Sequence, residues 1–225
     1  FASDEDGEYS IEIDPRTVSR ERVFSLRAQG FNRISLGVQD FDADVQKAVN
    51  RIQPEAETVA IMQAARDAGF RSISIDLIYG LPKQNLETMT ETLRKVIEYS
   101  DENMMLRRVH VGETRKDRFD TLQKHGKLAI EYLDSIGFLS QNCLLVHCIW
   151  ITKGEIRKIA GAGAKVSHNP VSNMKLASGG VMPLTEMLEE KVTVGLGTDS
   201  VASNNNLDLF EEMKVCALLH RHHKW

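Results

Sequence analysis

The chain has 225 residues, 42% hydrophobic and 27% charged, with a formal net charge of −4. That size suits one large domain or two small ones, and a single α/β barrel typically takes ~200–250 residues. The acidic balance and the lack of a basic run exclude a protein that tracks a phosphate backbone, so no nucleic-acid partner is expected. No apolar stretch approaches the ~18 residues of a membrane-spanning helix. The acidic opening, residues 2–8, does not have the pattern of a signal peptide.

From there a β-rich run alternates repeatedly with a helical stretch. The β-rich runs are residues 8–14, 33–38, 72–78, 107–112, 143–149, 165–168 and 192–197. Helical patterns between them include residues 55–68, 87–99, 116–135 and 206–220, with Gly30, Gly69 and Gly137 placed as helix stops. Such alternation predicts parallel βαβ units. Cys143, Cys148 and Cys216 have no iron–sulfur or zinc-knuckle spacing. Cys143 and Cys148 share one apolar run and are expected as reduced core residues, which fits a cytoplasmic setting.

The strand ends carry polar groups in succession: Glu12 and Asp14, Gln39, Asp76, His110 with Glu113, His147, His168, and Asp199. In a parallel barrel the C-terminal rim is where active sites form. An open doubly wound sheet would gather its ligands at one switch point instead. The expectation is therefore an α/β fold, a parallel (β/α) barrel of TIM-barrel type with seven visible strands. Either it is incomplete, or a second copy covers its open edge in a homodimer.

Residues 8–99 resemble the oxygen-independent coproporphyrinogen III oxidase family of radical S-adenosylmethionine enzymes. The matching text is YSIEIDPRT, GFNRISLGVQDFDADVQKAVNR and ISIDLIYGLPKQ. The resemblance implies that Glu12, Gln39, Arg51 and Asp76 line an S-adenosylmethionine site, where carboxylate and amide acceptors suit a sulfonium and a ribose. The family's cluster-binding cysteines have no counterpart here, since the first cysteine of the chain is Cys143. No iron–sulfur cluster is expected, and with it goes radical cleavage of S-adenosylmethionine. What is left of that site is a polar layer at the mouth, or at most a weak nucleoside binder.

From residue 103 the chain resembles the amidohydrolase superfamily, in its S-adenosylhomocysteine/methylthioadenosine deaminase branch. The matching text is VHVGETR, VHCIWIT, KVSHNPVSNMKLASGG and VGLGTDSVASNNNLDLFEEM. The resemblance implies His110 and Asp199 as ligands of a catalytic metal, usually zinc. It makes Glu113 the proton shuttle and His147 the residue holding the attacking water, and His147 is also available as a third ligand. An imidazole ligand beside a carboxylate base is what deprotonation of water and protonation of leaving ammonia require. His168 and Asn169 cap a further strand, facing a base edge or anchoring a loop. The family's His-x-His pair has one local echo, His220 and His222 followed by His223, which is expected as an exposed basic helix end.

The two resemblances meet near Asp101, with no flexible linker between them. The chain is expected as a single chimeric barrel, residues 1–225, with residues 1–100 and 101–225 drawn from the two lineages. Arg107 or Arg108 is expected to turn inward, as a packing fault or an ion pair with an acid of the first half. The leading expectation is an engineered or chimeric scaffold without efficient activity. The alternatives are a zinc-dependent deaminase of adenosine-like substrates working from a reduced site, and a weak nucleoside binder.

Overall fold

Each β-rich run of the sequence forms a strand. The structure is a computed structural model that describes residues 7–78, 81–103 and 105–223. Its strands are β1 (Ser10–Ile13), β2 (Arg33–Gln39), β3 (Ser72–Leu77), β4 (Leu106–Val111), β5 (Cys143–His147), β6 (Lys165–His168) and β7 (Thr193–Leu196). A 3-10 turn at Pro15–Thr17 precedes α1 (Arg20–Ala28), and α2 (Ala43–Ala48), α3 (Glu55–Asp67) and α4 (Leu86–Glu102) follow in the first half. The second half carries α5 (Arg115–His125), α6 (Ala129–Ser135), α7 (Lys153–Ala162), α8 (Pro170–Lys175), α9 (Leu184–Glu189), α10 (Val201–Asn204) and α11 (Leu209–His223). Strand order follows chain order within each half, β1–β2–β3 and β5–β6–β7, and the registered pairs are parallel, so the fold is of the expected α/β class. Most of the acidic opening, residues 2–6, lies outside the described residues, as do residues 79 and 80 of the ISIDLIYGLPKQ motif.

The chain divides into two compact units, Phe1–Arg108 and Val109–Trp225. In the first unit β1, β2 and β3 pair in register, Ile11 opposite Ile34 and Leu36 opposite Ile75. Ile34, Leu36, Val38, Ile73, Ile75 and Leu77 are buried almost completely. They alternate with Ser35, Gly37, Ser74 and Asp76, so each strand turns one apolar face to the core and a small or polar set to the other. A bulge between Gly37 and Gln39, with Gln39 at φ 68°, re-aims the end of β2. Helix α4 starts on a reciprocal Asn85–Thr88 capping box and buries Met89, Leu93 and Val96 on one face. It runs unbroken through Asp101, so the expected join falls inside a regular helix.

Both arginines at the start of β4 are ion-paired with acids of the first half. Arg107, whose side chain is 2% exposed, bonds Asp101 Oδ1 through Nη2 at 2.8 Å. Arg108 bonds Asp76 and lies 3.9 Å from Glu12.

In the second unit β5, β6 and β7 pair in register, with Val146 opposite Ser167 and His168 opposite Leu196. Leu145, Val166, Ile156, Ile159, Phe138 and Ile130 form its core. Cys143 and Cys148 are reduced and buried there, as expected. The helix expected over residues 116–135 is two helices. Gly126 takes the left-handed conformation (φ 63°) and closes α5 with an N–H bond to Leu122 O, while Glu131 caps the new start at Leu128 N. Helix α11 begins at Leu209, later than expected, because the Asp208 carboxylate accepts from the backbone N–H groups of Phe210 and Glu211.

Candidate functional site

The second unit brings His110, His147 and Asp199 together. A nitrogen from each imidazole and an oxygen from the carboxylate all lie within 4.8 Å of one another. His110 stands near the end of β4, His147 ends β5, and Asp199 follows the Gly197–Thr198 turn after β7. His110 Nδ1 and His147 Nε2 are 3.3 Å apart, with the rings nearly perpendicular. His147 Nδ1 contacts Asn173 Oδ1 at 2.7 Å. An amide oxygen only accepts, so that contact puts the proton on Nδ1 and leaves the Nε2 lone pair facing the cluster.

Three of these backbone positions are unusual for non-glycine residues. His147, Cys148 and Asp199 have φ of 73°, 49° and 58°. Such left-handed conformations typically cost ~1–3 kcal/mol each and persist where neighbours over-determine them. Here Cys148 N donates to Val111 O at 3.0 Å, and Trp150 N to Gly112 O at 2.8 Å, fixing the turn after β5. Asp199 Oδ2 accepts from Ser172 Oγ at 2.8 Å and Ser203 Oγ at 2.9 Å. Burial pushes the Asp199 carboxyl up, but the two hydroxyls and the neighbouring His147 and His110 outweigh it. The net shift is below the ordinary carboxylate value.

Glu113 lies beside this cluster, its Oε2 3.7 Å from His147 Nε2 and its Oε1 3.5 Å from Ser178 Oγ. Two imidazoles and a carboxylate, with one imidazole oriented by a side-chain amide, suit a borderline cation such as zinc. Asn173, Ser172 and Ser203 were not singled out in the sequence. The one available signal was the NPVSN run directly after the β6 strand end.

His168 and the last helix depart from expectation. His222 and His223 are exposed, but His220 turns inward and its Nε2 lies 3.0 Å from His168 Nε2. The helix is held in place by Glu212, which is 1% exposed and accepts from Val171 N at 3.2 Å and Asn204 Nδ2 at 2.5 Å. Asn169 accepts from Ser167 Oγ at 2.8 Å, a loop anchor.

The first unit gathers the other expected group. A Cβ at Gly37 would sit 3.0 Å from Arg51 Nη2, 3.1 Å from Gln39 Nε2 and 3.9 Å from Glu12 Oε1. Arg51 donates to Gly37 O at 2.8 Å and lies 3.3 Å from Asp14. Asp76 accepts from Ser35 Oγ at 2.7 Å and from Arg108. Glu12, Gln39, Arg51 and Asp76 are therefore close neighbours, but a cation of the chain itself already sits on the carboxylates.

Comparison with known proteins matches the two parts of the chain to two families. The amidohydrolase family model matches residues 76–225, and the radical SAM superfamily model matches residues 2–96. A 5-methylthioadenosine/S-adenosylhomocysteine deaminase of Thermococcus kodakarensis is 46% identical over 205 residues, 90% of this chain and 46% of that protein. A 5'-deoxyadenosine deaminase of Methanopyrus kandleri is 48% identical over 134 residues, 60% of this chain and 31% of that protein. The crystal structure of an adenosine deaminase from Xanthomonas campestris with bound zinc covers 93% of this chain and 53% of its own, at TM-score 0.70 and 24% identity. At that identity the likeness is one of fold. The chain thus spans about a third to a half of the curated relatives described here.

Proposed function

The chain belongs to the amidohydrolase family, and on that premise we propose that it carries the metal-dependent half of a deaminase acting on adenosine-like nucleosides. The observation that carries the proposal is the convergence of the His110, His147 and Asp199 ligand atoms within 4.8 Å, with Glu113 beside them. The relatives named above as deaminases of 5'-deoxyadenosine and of 5-methylthioadenosine/S-adenosylhomocysteine support the substrate class. They favour this reading over a scaffold without efficient activity. The change of family match across residues 76–96 supports a further reading, that the chain joins two lineages. An intact native gene encoding the same contiguous active protein would sink the view that it was engineered.

Three protein ligands are the usual complement of a catalytic zinc, and His110, His147 and Asp199 supply that number. When bound, such an ion supplies Lewis acidity and activates water near neutral pH. The remaining work falls to the chain's own groups. Glu113 takes a proton from the attacking water and returns one to the amine nitrogen as ammonia leaves. Asn173 keeps His147 in the tautomer that turns Nε2 inward. Ser172 and Ser203 hold Asp199 ionised and immobile.

The test is to strip metal from the chain, restore zinc, and measure bound metal together with ammonia release. The substrates are 5'-deoxyadenosine, 5'-methylthioadenosine and S-adenosylhomocysteine. His110→Ala is expected to lose about one equivalent of zinc and all ammonia release, as removal of one of three ligands requires. Absence of any His110-dependent metal, together with no ammonia above buffer, would refute the reading.

A further inference from the structure

A second cluster of metal-ligating side chains lies in the same unit and shares no residue with the first. Ligand atoms of His168, Cys216 and His220 all fall within 4.8 Å of one another. We propose that these three residues form a thiolate-containing site for a thiophilic divalent cation of the zinc class.

The placement is specific. Cys216 and His220 are four residues apart on α11 and so project from one helix face. His168 comes from the end of β6 and is 1% exposed. Its Nε2 stands 3.0 Å from that of His220, while a tetrahedral zinc at bond lengths of ~2.0–2.3 Å sets its ligand atoms roughly 3.3–3.6 Å apart. Small rotamer adjustments on a helix already pinned by Glu212 suffice to close the set.

The chemistry is also in order. His168 is almost wholly buried, and a neutral imidazole is the form that ligates. Its buried Nδ1 has no hydrogen-bond partner among the described residues, and a cation at Nε2 would replace the contact with His220. Burial, then the charge of Glu212, push the Cys216 thiol up. The free protein therefore holds a thiol there, and binding the cation forms a metal–sulfur bond with release of that proton to solvent. Two imidazoles and a thiolate select zinc-like ions over magnesium or calcium.

Cobalt(II) is the probe, because a thiolate ligand gives it a near-ultraviolet charge-transfer band. The His110 cluster holds no sulfur, so the band reports the second site alone, whatever becomes of the deaminase proposal. The reduced, metal-stripped chain is titrated with cobalt and then with zinc. The band is expected to appear and to be displaced by zinc. It should be lost in Cys216→Ser and in His220→Gln, and kept in His110→Ala and Cys143→Ser. Circular dichroism follows each variant, and if Cys216→Ser unfolds, His220→Gln carries the comparison. No band in the parent chain, or a band that survives either substitution in a folded protein, overturns the site and leaves a hydrogen-bonded histidine pair.

Discussion

Asn173 accepts from Nδ1 of the wholly buried His147 at 2.7 Å, and the rest of the ring's behaviour follows from that contact. Asn173→Ala would leave a buried imidazole N–H without an acceptor, at about 1–3 kcal/mol of stability. It would also release the ring tautomer, and outer-shell changes of this kind typically lower metal affinity about 10–100-fold. Urea denaturation and zinc titration of the variant read the two effects separately, and unchanged affinity would remove the orienting role. His110, Glu113, His147 and Asp199 were legible in the sequence because each is an ionisable residue at or just beyond a strand end. Asn173, Ser172 and Ser203 were not, because amides and hydroxyls are ordinary at helix starts and their meaning lies in contacts across elements. His220 was misjudged for a related reason. Its neighbours are basic and exposed, and only the packing of α11 against α8 and β7 shows that it faces His168.

At the scale of elements, the end of β7 depends on a glycine. Gly197 N donates to His168 O at 3.0 Å, and a Cβ at Gly197 would meet Ser167 Oγ at 2.6 Å and Asn169 Oδ1 at 2.8 Å. A side chain there would push apart the Ser167 hydroxyl and the Asn169 amide oxygen, which bond each other. Gly197→Ala is expected to destabilise the protein by about 1–3 kcal/mol, as overpacking does. It should also weaken zinc binding, because Asp199 lies two residues on. A thermal unfolding midpoint equal to that of the parent would contradict this. All seven strands were legible in the sequence, since each is a short β-rich run with apolar residues mostly at alternate positions, followed by a polar strand end and then a helical stretch. The long helix over residues 116–135 was misread because Gly126 inside a helical pattern looks tolerable, and its left-handed conformation is a property of the fold.

For the whole molecule, stability should depend on pH through a cluster linking α3 and α4. Glu55 bonds Lys95 at 2.7 Å and is also bonded by the Tyr99 hydroxyl. Burial, then Glu55, Glu98 and Glu102, raise the Tyr99 phenol from its usual 10 to about 12. The folded state thus holds a proton that the unfolded chain gives up first, so stability falls as pH climbs from about 10 to 12. Glu55 shifts the opposite way, held down by Lys95 and then Tyr99. Its contribution is present above the ordinary carboxylate value of 4.5 and fades as pH falls below it. Tyr99→Phe should flatten the alkaline slope in denaturant melts, and an unchanged slope would assign it elsewhere.

The Arg108 contact with Asp76 and Glu12 has a consequence for any cation that approaches the mouth of the first unit. The arginine is covalently part of the same chain, so its local concentration at those carboxylates is on the order of millimolar or higher and cannot be diluted away. A sulfonium arriving from solution enters as a competitor against a resident counter-ion, and must displace it before gaining any electrostatic benefit.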